Sequence, residues 1–285
     1  YAGQMEPIAG ISRPDETGLT AAIDYLESGH RKGLAPHWII DQVFLERQLD
    51  EGSTESPVLL RLLDALERGE DISPAWIVDI GWMVEQRRKA GIQTGSLLAM
   101  YRELAMDDFR TDEPTSPLFD PNWYRQVSGA SDAQGSIHHY LFSGAAARLD
   151  PHPAFRSRYY ADLVALAADD DPVRHYLVEG GHRTSSPNPI LDLEHYAEQF
   201  PDREDDATPA LLHFLALDDR DGTIPRFDRA NYLAENPDIV NGRLCPEKHF
   251  LEFGSREQHR RPFRGFSSAC LRSRHPAPLR YGFSD

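Results

Sequence analysis

The sequence predicts an all-α, solenoid-like fold, a tandem array of short helix pairs with a period of 36–41 residues. Three observations predict it. His139, His175, His213 and His249 step by 36, 38 and 36 residues, and each is followed by an aromatic residue and a leucine. Phe119, Phe155, Leu191 and Phe227 step by 36, with an aspartate after three of them at Asp120, Asp192 and Asp228. Pro36 and Pro74, Asp41 and Asp79, and Phe44 and Trp82 are each 38 apart, so independent pairs share one offset.

Taken in order, residues 1–18 show no periodicity and mix Gly, Pro and charge, which reads as an N-terminal arm. The array occupies 19–254 in about six units, degenerate over 19–110 and regular over 116–254. The first copy carries Asp24-Tyr25-Leu26, Gly29, Pro36 and Ile40-Asp41, and the second keeps Asp64, Leu66, Gly69, Pro74 and Val78-Asp79. The third, Gly95 to Tyr124, has lost the glycine and the His-Tyr pair until Leu118-Phe119-Asp120 restores the frame. Residues 255–285 form an Arg-rich tail or linker, with Arg260, Arg261 and Arg264 among seven arginines against Glu257 and Asp285. That tail reverses the sign of the array and either folds back on it or docks elsewhere.

Each unit holds two helix signals. In the first, an aspartate follows an apolar residue and can accept from the exposed N–H groups of the next turn. In the fourth unit Arg156 replaces that aspartate, and Ser157 is the expected cap. The helix that follows carries Tyr124, Tyr160, Tyr196 or Tyr232 inward, and at Asn236-Pro237 it must stop. In the second signal, Pro172, Pro209 or Pro246 opens a helix that bears the histidine triplet. Gly69, Gly144, Gly180 and Gly254 are then expected to end it in a left-handed residue. A unit of this size cannot bury its apolar stripe alone, so neighbouring units must stack.

Charge and composition narrow the function. Thirty basic residues against 46 acidic ones give −16, which repels nucleic acid and anionic headgroups. Apolar runs such as Trp38-Ile39-Ile40 fall far short of the ~20 residues of a membrane-spanning helix. Cys245 and Cys270 have neither metal-ligand nor disulfide-framework spacing. The chain begins at Tyr1 and not at Met, as a processed chain or a piece of a longer one would.

Twelve histidines invite a metal reading, with His138, His139, His152 and His175 the densest group. Four histidines share one place in successive units, however, so a common structural bond explains them better than a site, and zinc wants three or four convergent ligands. Asp24 and Asp64 hold the same place in the first two copies and are expected to bond a neighbouring turn. The runs Asp169-Asp170-Asp171, 202–206 and 218–219 lack the order of a calcium loop and read as solvated loops. No serine elbow, Cys–His pairing or phosphate-binding glycine loop is present, so neither a catalytic residue nor a cofactor is expected. Trp38, Trp76, Trp82 and Trp123 suit either a core or a groove that stacks on sugar rings. Trp38, Trp76, Trp123, His138, Arg260, Arg261 and Arg264 are the candidate partner or glycan contacts. The positions to watch are those that break register: His138, the worn stretch 95–110 and the arginine tail.

The phrases LFDPNWYRQ at Leu118, HYLFSGAAARLDPHPAF at His139, HYLVEGGHRTSSPNPILD at His175 and FDRANYLAENPDI at Phe227 resemble a bacterial tandem helical repeat. The likeness runs from Ser116 to Pro262 and departs by keeping Asn-Pro-Asp only at Asn236 to Asp238. Such repeats accompany glycosyltransferases of cell-surface polysaccharide assembly and some exported surface proteins. The resemblance implies a bacterial protein, in the cytoplasm or at the cell surface, and carries over no catalytic residue. It implies a non-catalytic module that engages a protein or polysaccharide partner. Two other readings stay open: an acceptor-positioning region of a glycosyltransferase, and a structural component of a surface layer or assembled particle, packed against other subunits.

Overall fold

Among the described residues every regular element is helical, and three isolated β-bridges mark turns. The all-α expectation therefore holds. The computed structural model describes residues 23–49, 56–129, 135–179, 185–189, 191, 193, 196, 209–216, 227–242, 246–254, 257 and 260–262. The N-terminal arm, Gly180, Asp192, both cysteines, the acidic runs 202–206 and 218–219 and most of the tail lie outside them.

The chain divides into two compact units, Tyr1–Arg125 with Ala130–His139, and Gln126–Gly129 with Tyr140–Asp285. The first contains a π-helical turn at Tyr25–Gly29, then α1 (Gln42–Glu46), α2 (Val58–Arg68), α3 (Ile80–Lys89) and α4 (Leu97–Met106). The start of α5 (Pro121–Ser128) and all of α6 (Ser136–His139) complete it. The second unit contains another π-helical turn at Tyr140–Gly144, then α7 (Ser157–Val164), α8 (Pro172–Val178) and α9 (Ala210–Ala216). It ends with α10 (Arg229–Glu235), α11 (Pro237–Gly242) and α12 (Pro246–Glu252).

Three kinds of bond recur at the helix starts, and all three meet at Asp41 and Asp79. The carboxylates of Asp41, Asp79, Asp120 and Asp228 accept from the amides three residues on, Phe44, Trp82, Trp123 and Asn231, at 2.9–3.0 Å. Such a cap contributes about 1 kcal/mol. A tight turn precedes five of the cap positions, with Ile40, Val78, Phe119, Phe155 and Leu191 donating to the carbonyls of His37, Ala75, Ser116, His152 and Asn188. The cap residue's own N–H reaches a carbonyl far along the chain: Asp41 to Pro74, Asp79 to Thr115, Arg156 to Pro187 and Asp228 to Pro262. A donor that would otherwise be orphaned is thus satisfied by a carbonyl 31 to 36 residues further along the chain.

Side chains close each core. In the first unit α1 packs on α2, and both α2 and α3 pack on α4, burying Leu45, Leu62, Ile77 and Ile80 completely. Arg87 on α3 clamps Glu103 of α4 at 2.7 Å and Glu113 beyond it at 2.8 Å, pinning the turn between them. In the second unit α7 packs on α8, and α10 packs on α11 and α12. Tyr160, Tyr176 and Tyr232 are enclosed there.

Four local expectations are corrected. Ser157 does not cap α7. Its hydroxyl donates to the Leu149 carbonyl at 2.9 Å, and Asp150 takes the Ser157 amide at 2.8 Å. Asp150 also pairs at 3.0 Å with Arg156, whose side chain is 1% exposed. Gly69 is left-handed at φ 82°, as expected, but Gly144 is not. There the chain takes a π turn, and left-handed geometry comes later, at Arg148 (φ 57°). Gly254 is fixed by close approach, since a Cβ would sit 2.5 Å from the Tyr232 hydroxyl. Asp24 and Asp64 are exposed and not turned inward. The acidic run at 169–171 is not wholly solvated either, because Asp171 caps α8 through the Val173 amide at 2.9 Å and accepts from the Tyr140 hydroxyl at 3.0 Å.

Candidate functional site

The histidines that recur with the repeat are held by phenols. Tyr124 meets Nδ1 of His139 at 2.7 Å, Tyr160 meets His175 at 2.7 Å, Tyr196 meets His213 at 2.8 Å and Tyr232 meets His249 at 3.0 Å. Each tyrosine comes four residues after its unit's cap position and is buried, so its hydroxyl needs a partner. Burial pushes the Tyr232 phenol up to about 12, which keeps it protonated and able to donate. The rule also explains Asp64: Leu45 stands where the preceding tyrosine would be, and without a phenol no imidazole is needed.

The register-breaking groups gather elsewhere, around Trp38 in the first unit. Helix α4 lacks the glycine that the repeat uses, and it ends instead on two successive left-handed residues, Asp108 (φ 50°) and Phe109 (φ 57°). Aspartate tolerates that geometry and phenylalanine does not, so the strain must be held by its surroundings. It is held by rings: Phe109 is 2% exposed and lies 5.9 Å from Tyr101, 5.5 Å from His37 and 6.0 Å from Trp38 between centroids. The consequence is that Asp108 stands over Trp38. Its Oδ1 accepts from the indole N–H at 3.0 Å and from His37 Nε2 at 3.2 Å. His37 Nδ1 accepts the Ile39 amide at 3.3 Å, which assigns the ring proton to Nε2. His138 stacks edge-on against the Trp38 indole at 5.2 Å, and the Arg110 guanidinium lies 3.9 Å from the Asp108 carboxylate.

Burial holds both imidazoles below their ordinary pKa. For His37 the Asp108 carboxylate opposes that shift, and for His138 Asp108 opposes it while Arg110 and His139 reinforce it. The cluster therefore offers a half-buried indole, two neutral imidazoles, a carboxylate 47% exposed and a guanidinium 52% exposed. Both nitrogens of His37 are engaged, which leaves it no role as a general base. The arrangement can hold an apolar ring face while exchanging hydrogen bonds around its edge.

The other sequence candidates fall differently. Trp76 and Trp123 are 5% and 6% exposed and belong to the core. Arg260 is drawn in, bonding Asp238 at 2.8 Å, Glu257 at 2.5 Å and Asn236 at 3.1 Å. Arg261 is exposed, and Arg264 lies outside the described residues. Sequence reasoning reached Trp38 and His138 and marked 95–110 as worn, but missed His37, Asp108, Phe109 and Arg110. The lost glycine was the signal for them. Among the described residues no three His, Cys, Asp or Glu side chains converge as metal ligands, and no helix is long and apolar enough to cross a membrane.

Comparison with protein-family models, with curated proteins and with solved structures finds no match in any of the three.

Proposed function

We propose that this chain is a non-catalytic binding module, a solenoid-like array of helix pairs that presents the surface around Trp38 to a glycan in bacterial cell-surface polysaccharide biology. The observation that carries the reading is the division of labour among polar groups. Those that follow the repeat are used inside it, as caps and as Tyr–His pairs. Those that break it collect at one partly exposed indole with a fixed carboxylate beside it. An indole face suits the C–H face of a sugar ring, and Asp108, Arg110 and His138 supply acceptors and donors at its edge. The repeat wording at His139, His175 and Phe227 supplies the polysaccharide context by resemblance.

Two assays test this. Purified chain incubated with nucleotide-sugar donors and polysaccharide acceptors is expected to give no turnover, and transfer or hydrolysis abolished by replacing a named carboxylate would refute the reading. Binding to bacterial surface glycans is expected to weaken at least tenfold in Trp38→Ala, a change of about 1.4 kcal/mol.

A further inference from the structure

A second concavity lies in the first unit, formed by the Tyr25–Gly29 turn, α1 and the start of α2. Its volume is about 430 Å³, within the range of small-molecule sites. The wall is apolar where Tyr25, Leu49 and Val58 line it, all three buried, and polar where His30, Gln42, Glu46 and Arg61 line it.

Hydrogen bonds already made within the wall dictate what it has left to offer. His30 Nδ1 donates to the Tyr25 carbonyl at 3.1 Å, so Nε2 is the ring nitrogen left to face a ligand. The Gln42 amide donates to Glu46 Oε1 at 2.8 Å, leaving the Gln42 carbonyl and Glu46 Oε2 to accept. The lining therefore offers acceptors at His30, Gln42 and Glu46 and donors at Arg61, a mixture that suits hydroxyl groups, which both donate and accept. The opposed charges of Glu46 and Arg61 cancel, so the ligand needs no net charge. A chain of net charge −16 also disfavours an acidic one.

We infer that this cavity takes a neutral pyranose, its hydroxyls on His30, Gln42, Glu46 and Arg61, with only the narrow exposed edges of Tyr25, Leu49 and Val58 beneath the ring. The choice of a sugar among hydroxyl-rich molecules rests on the glycan reading above. The same chemistry could come from a free monosaccharide or from one residue of a polymer.

The test is an amide and side-chain NMR titration of the full chain with D-glucose, D-galactose, D-mannose and N-acetyl-D-glucosamine at millimolar concentration, alongside neutral oligosaccharides. Shifts at Tyr25, Gln42, Glu46 and Arg61 with at least one of these probes are the expected result. Binding should weaken at least tenfold in Glu46→Leu, and also in Leu34→Trp, which fills the mouth from an exposed position. Circular dichroism melts check that both variants fold. Shifts with oligosaccharides alone assign the cavity to a residue of a longer chain. No shift with any probe, or shifts that both variants leave unchanged, would overturn the inference. A polymer bound equally by wild type and Leu34→Trp, with no free pyranose bound, would remove the cavity and leave the Trp38 reading standing. A bound pyranose with no glycan bound at Trp38 would do the reverse.

Discussion

Replacing Tyr160 with Phe leaves the His175 ring without its phenol at 2.7 Å, and about 1 kcal/mol of stability should go with it. Tyr160→Phe combined with His175→Leu should cost less than the two single changes added, because the second change removes a group already deprived of its partner. Urea unfolding of the four proteins measures this, and strict additivity would mean that the pair does not interact. A second expectation concerns pH. Burial sets His37, His138 and His249 below the ordinary histidine value. Asp108 faces the first two with Arg110 and His139 beside His138, while Arg260, Glu257 and Asp238 face His249. Because the folded pKa is the lower one, their contribution is present above about 6.5 and is lost as pH falls through the folded midpoints. NMR titration should find those three midpoints below about 6.5, with unfolding free energy falling between about pH 7 and 5. The Tyr–His pairing was only half legible in the sequence: the 36-residue spacing of the histidines marked a shared structural bond, but not that a tyrosine 15 or 17 residues earlier supplies it.

At the scale of helices, the caps are the most exchangeable parts. Asp41→Ala, Asp79→Ala and Asp228→Ala each remove one bond to an amide three residues on and should each cost about 1 kcal/mol. Gly254→Ala belongs to another class: a Cβ there meets a hydroxyl that His249 already fixes, and overpacking of that kind costs about 1–3 kcal/mol. Denaturant midpoints rank the four. The caps were readable from sequence, since an aspartate ahead of an apolar period has one evident use. Gly254 was read as a left-handed terminator because a glycine after a helix is more often that. A close approach is set by the facing side chain, which no local pattern reveals. Arg156 defeated the cap rule in the same way, because its partner Asp150 lies outside the local motif.

For the whole molecule, the sequence made the helical class legible, and it pointed to Trp38 and His138 as exceptions to its spacing. It did not reveal that α4, deprived of its glycine, would carry Asp108 over Trp38 on a strained turn. That contact joins residues 70 apart, and long-range pairing of this sort leaves no trace in spacing. Nor did it tell core tryptophans from the partly exposed one, because Trp38 and Trp76 occupy equivalent turns 38 apart. Trp76→Ala should therefore cost about 3–5 kcal/mol of stability through the cavity it leaves. Trp38→Ala should be felt first in binding. The most direct test is an array of neutral bacterial surface glycans probed with the wild-type chain and with Trp38→Ala. Saturable binding by the wild type that falls at least tenfold in the variant is predicted. A flat array, or equal binding by the two proteins, would contradict a glycan module centred on Trp38.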